Sequence, residues 1–351
     1  MQQTSTPTTD TAPGLRRRSV ARMLAAAPLA LGLPKSGTAQ AARPILIQFS
    51  HVVAPDTAKG RAALRFKELA ESRTGGKVRV EVYPNSTLYK DGEEVEALRL
   101  GSVQMLATSL SKLAKWGGGD FELFDLPFLF KDQAAFHAAV DGPVGAALLR
   151  QLEPKGIQGL AYWDNGFKVF TANRPLQEVG DFKRLKFRVQ ASRVLVEQMQ
   201  VLGAQTSVSP LINVRGALKD GLLDGQENTP SNIYTQGLHE VQTHLTVSNH
   251  GYLAYAVLVN KSFWSRLPPA IRTALEAAMR DATTYANSIA AAENTRSLER
   301  IRSAGRLTIH TPGPQELARW RAALQPVYEA SSRWIRPEAL SAIRTAMGAP
   351  P

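Results

Sequence analysis

The spacing of apolar positions changes several times along the chain, and each change marks an element. Ile45 to Val53 is apolar and β-rich, a buried strand ending at Ser50 and His51. Thr57 to Ser72 repeats with helical period, placing Ala62, Phe66, Leu69 and Ala70 on one face. Lys77 to Tyr83 alternates valines with charged residues, the pattern of a half-buried strand. Asp91, followed three residues later by Glu94, predicts a capping box that opens a helix through Leu100. Gln104 to Ser109 is a further short strand. This alternation predicts an α/β domain with a mostly parallel sheet.

Phe121 to Phe130 is rich in aromatics and predicts a turn packed onto the core. Ala134 to Leu152 reads as one helix and Gly156 to Tyr162 as a returning strand. A second α/β unit is predicted from about residue 165. Its strands are Lys168–Asn173, Lys186–Val189 and one near Ser207, with helices over 192–202 and 214–220. The last third reads as mainly helical. Pro268 and Pro269 sit where a helix can start, and apolar or small residues recur from Ile271 to Ile301 before a stop at Gly305. That predicts one helix about 50 Å long. Smaller helices follow over 315–332 and 337–347.

Residues 1–41 read as a targeting peptide. Arg16, Arg17, Arg18 and Arg22 precede an apolar run from Met23 to Leu33, too short to span a bilayer, and Ala39-Gln40-Ala41 is a small-x-small cleavage site. The arginine pair resembles a twin-arginine signal. The formal charge is +12; cleavage after Ala41 removes five positive charges and one negative, leaving +8 by count. No other apolar stretch reaches membrane-spanning length, which argues against direct membrane insertion, and the remaining charges are scattered, which favours anionic small molecules over nucleic acid. The chain has no cysteine, which excludes disulfides, thiolate metal sites and cysteine nucleophiles.

The motifs of metalloproteases, serine hydrolases, Walker loops and dinucleotide folds are missing, and the six histidines lack metal-ligand spacing. No catalytic residue, metal or cofactor is predicted. Asp224 and Glu227 read as a cap and a surface charge in a turn. Three strings suggest binding instead: NGFK ending at Lys168, KFRVQ containing Arg188, and DGQEN ending at Asn228. An arginine fork grips a carboxylate bidentately, lysine adds a second charge, and asparagine offers both a donor and an acceptor. Such a set suits an organic acid. His51, Lys90 and Ser109 lie in or just after first-domain strand ends, where open α/β sheets bind ligands. They are the candidates for a ligand's other end, with Tyr255 and His250 behind them.

These strings belong to a longer set: FSHVVAPDTAKG (49–60), EVYPNSTLYKD (81–91), FDLPFLF (124–130), AYWDNGFKVFTANRPL (161–176), KFRVQAS (186–192), LDGQENTPSNIYTQ (223–236) and SNHGYLAYAVLVNKSFW (248–264). In that order they resemble the extracytoplasmic solute-binding subunit of tripartite ATP-independent periplasmic (TRAP) transporters, in its C4-dicarboxylate-binding branch. The resemblance implies a two-lobed periplasmic-binding-protein-like α/β fold with an interlobe cleft, crossing strands and one long bracing helix. It implies lobe I over 42–165 plus about 254–293, and lobe II over 166–253 plus about 294–351.

It also implies that Arg188 clamps a carboxylate, that Lys168 stands where relatives place a second basic group, and that Asn228 contacts the same end of the ligand. The implied role is capture of succinate, malate or fumarate in the periplasm for an ion-gradient-driven membrane partner, without catalysis. A monocarboxylate, 2-oxo acid or aromatic acid would keep the class and change the ligand; a ligand-sensing subunit on a membrane receptor would change the class. One departure stands out. Relatives commonly carry glutamate-valine-tyrosine where this chain has Asn213-Val214-Arg215, which is expected to remove a cleft wall and add a charge.

Overall fold

The structure is a computed structural model that describes residues 43–348. The targeting peptide predicted for residues 1–41 lies outside them. The described strands are β1 (Ile45–Ser50), β2 (Val78–Tyr83), β3 (Met105–Ser109), β4 (Ile157–Phe167), β5 (Val169–Ala172), β6 (Lys186–Val189), β7 (Gln205–Val208), β8 (Gly225–Asn228), β9 (His244–Thr246), β10 (Tyr252–Asn260) and β11 (Thr308–His310).

They form two sheets, ordered β2-β1-β3-β10-β4 and β11-β9-β5-β8-β6-β7. β1 pairs parallel to β2 and β3, as the alternating pattern predicts, but β10 enters antiparallel between β3 and β4. The first sheet is therefore mixed. Every residue of β10 is buried. A run that is apolar on both faces has no period to distinguish strand from helix, which is why the sequence pattern did not reveal it.

Local chemistry explains most boundaries. Thr57 caps the helix Ala58–Arg73 by accepting from the Gly60 N–H at 3.1 Å. The segment expected as one helix over 134–152 is two, Gln133–Val140 and Pro143–Arg150, because Gly142 breaks the first and Pro143 starts the second. The capping box expected at Asp91 and Glu94 does not form. The helix Glu94–Leu100 has no side-chain cap, and both carboxylates turn to Lys112 instead.

Three connections join the sheets. β4 runs through Lys168 into β5, β9 runs through residues 247–251 into β10, and the helix Pro269–Ser303 links β10 to β11. That helix has 35 residues, about 50 Å. It packs on Ala58–Arg73 and β4 on one side and on the helix Pro230–Thr235 of the second sheet's layer on the other. Asn294 ties both: its amide donates to the Asn165 carbonyl at 2.6 Å and accepts from the Ser231 N–H at 3.0 Å.

Near the C-terminus, Pro314–Ser331 lies on the helix Arg193–Val201, while Pro337–Ala346 crosses back onto Gln133–Val140 and Pro143–Arg150. The result is a two-lobed mixed α/β fold with a small polar cavity between the lobes.

Candidate functional site

A small cavity of about 20 Å³ lies between the two sheets, lined by Arg188, Asn228, Asn232 and Leu211 from the second and by Asp91, Ser109, Lys112 and Tyr255 from the first. Arg188 projects from β6, flanked by β8 and β7. Only 3% of it is exposed, and its one hydrogen bond runs from Nε to the Ser209 carbonyl at 2.9 Å. Its two Nη groups therefore have no protein partner among the described residues. Burial acts to lower its pKa and nearby carboxylates oppose this, so the guanidinium stays charged.

Asn228 ends β8. Its Oδ1 accepts from the Thr229 N–H at 3.0 Å and from Asn232 Nδ2 at 2.8 Å, which leaves its own amide N–H groups for a ligand. The Tyr255 hydroxyl accepts from Asn165 at 2.6 Å and from Asn232 at 3.3 Å, and among the described residues no group accepts its proton. Burial pushes this phenol up to about 12, so it remains a neutral donor. Ser109, opposite Tyr255 in the β3–β10 register, donates to Gln190 Oε1 across the interface at 2.5 Å.

Four expected residues lie elsewhere. Lys90 is exposed and outside the lining; its neighbour Asp91 faces the cavity instead. His51 is fully buried beyond the lining, with neither ring nitrogen partnered; burial and the Lys59 charge push it down to about 3, so it is neutral.

Lys168 and His250 belong to a buried chain where the strands cross. Lys168 Nζ donates to Glu227 Oε1 at 2.8 Å, Glu227 Oε2 meets His250 Nε2 at 2.8 Å, and His250 Nδ1 meets Ser248 Oγ at 2.7 Å. The His250 ring stacks on Phe170 at 3.8 Å. Glu227 was expected as a surface charge in a turn. It is 2% exposed on β8, a central strand. Burial would raise its carboxyl, but Lys168 and His250 outweigh burial and hold it at about 2.

Arg215, expected to disturb the cleft wall, points away from the cavity and pairs with Glu240 at 2.7 Å on the surface.

Sequence reasoning missed Lys112, Asp91, Gln190 and Asn232. Lys112 was the most findable. It lies three residues past Ser109, in the single turn Leu110–Lys112 that follows β3, and so obeys the strand-end rule that selected Ser109. Its side chain is 7% exposed and bonds Glu94 at 2.6 Å and also Asp91. Burial opposes its charge, but the two carboxylates hold its pKa well above the usual lysine range. Behind it, Lys59 Nζ donates to the Ala107 carbonyl at 3.1 Å and sits 3.7 Å over the Tyr255 ring.

The fold and this polar cavity, with Arg188 free to grip a carboxylate, define a protein that binds a small anion between two lobes. Residues 49–333 match the family described as bacterial extracellular solute-binding protein, family 7. The chain belongs to that family. It is 51% identical to the C4-dicarboxylate-binding periplasmic protein DctP of Rhodobacter capsulatus, covering 95% of this chain and 99% of the relative. A TRAP periplasmic solute-binding protein of Shewanella oneidensis, solved with bound succinate, superposes with a TM-score of 0.84 at 41% identity, covering 87% of this chain and 99% of the other. One from Pseudomonas aeruginosa, solved with bound L-malate, has a TM-score of 0.80 at 42% identity, covering 82% and 100%. The family is one of solute-binding transport components, and its members act outside the cytoplasm.

Proposed function

We propose that this protein captures a C4-dicarboxylate such as succinate, malate or fumarate in the periplasm and delivers it to the membrane subunits of an ion-gradient-driven TRAP transporter. The observation that carries the reading is Arg188: a buried guanidinium lining the cavity between the lobes, with neither Nη group hydrogen-bonded to protein among the described residues. A buried arginine without a carboxylate partner is stabilised by an anionic ligand that fills its fork. The names and bound ligands of the relatives described above support the ligand class.

In this reading Arg188 binds one carboxylate bidentately, while Asn228 and the Tyr255 hydroxyl donate to its oxygens. Ser109 holds Gln190 across the interface and Lys112 faces the ligand's distal half. Lys168 and His250 act indirectly, by fixing β8 through Glu227. His51 stays in the wall behind the cavity, and Lys90 has no contact. We divide the lobes along the two sheets, with the first containing β1–β4 and β10 and the second β5–β9 and β11. Ligand binding shifts an open–closed equilibrium by its preference for the closed form, which is the form the membrane partner would receive.

Isothermal titration of the protein, unfolded and refolded to release carried-over ligand, tests this. Tight binding of C4-dicarboxylates that disappears in Arg188→Ala is expected. Equal binding by the variant would remove the clamp, and binding of monocarboxylates alone would remove the dicarboxylate assignment.

A further inference from the structure

One three-residue loop of the second lobe is held from two sides. Arg188 Nε donates to the Ser209 carbonyl at 2.9 Å, and two residues on, the Leu211 N–H donates to Asp91 Oδ2 at 2.7 Å. Asp91 belongs to the first lobe, in the loop between β2 and the helix Glu94–Leu100. The arginine that lines the cavity therefore fixes the loop whose N–H the opposite lobe takes.

Leu211 opens the helix Leu211–Lys219, and the first N–H groups of a helix have no partner within it. The residue before it, Pro210, carries no side-chain oxygen to accept from them, and the helix has no side-chain cap of its own. Asp91 supplies one from the other lobe, and a carboxylate at a helix N-terminus also complements the helix dipole. Lys112 holds its second oxygen, Oδ1. Burial acts to raise the Asp91 carboxyl, but Lys112 and Arg188 outweigh it and hold it at about 2, so it stays an ionised acceptor. Val52 and Val53 of the first lobe share one buried apolar cluster with Leu211 and Val214. The bond thus lies beside apolar packing between the lobes, where it is electrostatically stronger than in water.

Resting on the dicarboxylate-capture reading above, we propose that Asp91 is a positioning residue that latches the two lobes over the ligand, by capping from the first lobe a helix that the second lobe leaves uncapped. Separation of the lobes returns the Leu211 N–H to water and leaves Asp91 with Lys112 alone. The bond therefore favours only the closed form, and it slows ligand escape without speeding entry. Its action needs no contact with the ligand.

The test is stopped-flow kinetics of succinate binding by the full chain. Asp91→Ala is expected to raise the dissociation rate about tenfold or more, the scale of a lost hydrogen bond to a charged group. The association rate should stay within about threefold of wild type. A merely structural role would lower the unfolding midpoint without this split. Leu211→Pro deletes the N–H at a helix position where proline is tolerated, and should also speed dissociation. Because both changes break one bond, Asp91→Ala should add less than about twofold in the Leu211→Pro background.

An unchanged dissociation rate in Asp91→Ala overturns the latch and leaves the dicarboxylate reading standing. So does a full further effect of Asp91→Ala in the Leu211→Pro background, which would give the carboxylate a different partner. If the wild-type protein binds no C4-dicarboxylate, the reading falls and takes the latch with it. Should Asp91→Ala not fold, Leu211→Pro decides alone, and an unchanged dissociation rate there overturns the proposal.

Discussion

Lys168 and Gly251 lock the two crossing strands together. The Lys168 N–H donates to the Gly251 carbonyl at 2.8 Å, and a Cβ at position 251 would lie 2.6 Å from Lys168 Cε and 3.3 Å from its Nζ. Glycine is needed here for closeness of approach, because the lysine stem passes directly over the backbone on its way to Glu227.

Gly251→Ala should therefore displace Lys168 from Glu227. The expected loss of stability is about 1–3 kcal/mol, the usual cost of forcing a methyl into a packed interior. Urea denaturation checks it; an unchanged midpoint would show that the lysine stem can move aside freely.

The Glu227 ion pair gives stability a particular pH dependence. The ordinary carboxyl value of 4.5 is depressed to about 2 in the folded state. A depressed carboxylate contributes above its unfolded value and loses that contribution as pH falls through the folded one. Stability worth about 3 kcal/mol should thus fade between about pH 5 and about pH 2. Glu227→Gln should flatten the slope over that window and lower stability at neutral pH, since it leaves Lys168 buried without its near partner. Denaturant midpoints across the pH range measure both.

Arg188→Lys separates charge from geometry. An ammonium keeps the positive charge but cannot present two parallel donors, so affinity should fall at least about tenfold. Arg188→Ala should cost more, on the order of 2–5 kcal/mol of binding free energy. Titration calorimetry of the three proteins gives the order; equal affinity for arginine and lysine would argue against a bidentate clamp.

The two lysines of the first lobe should behave oppositely. Lys90→Ala removes an exposed side chain outside the cavity and should leave binding and stability within about 0.5 kcal/mol of wild type. Lys112→Met strands Asp91 and Glu94 in the interior and should destabilise by about 3–5 kcal/mol. Parallel melting and binding measurements on both variants test the contrast.

Periodicity along the chain was enough to determine β1, the helix Ala58–Arg73 and the long brace Pro269–Ser303, each within a residue or two at the ends given to it except at the last residues of β1. Their signals are local: a β-rich apolar run, helical spacing, prolines at a helix start. The strings around Arg188 and Asn228 pointed to an anion site for an equally local reason, the chemistry of the side chains themselves.

Tertiary structure decided what each charge is for. Glu227 reads as a surface acid until β8 takes its place between β5 and β6 and brings it to Lys168, 59 residues away in sequence. Asp91 and Glu94 read as a helix cap until Lys112 arrives beyond β3 and draws both inward. Lys90 and Lys112 are chemically identical, and only their surroundings make one a solvated residue and the other part of the cavity. Burial and the field of distant neighbours set the role of an ionisable group, and both come from contacts between segments remote in the chain.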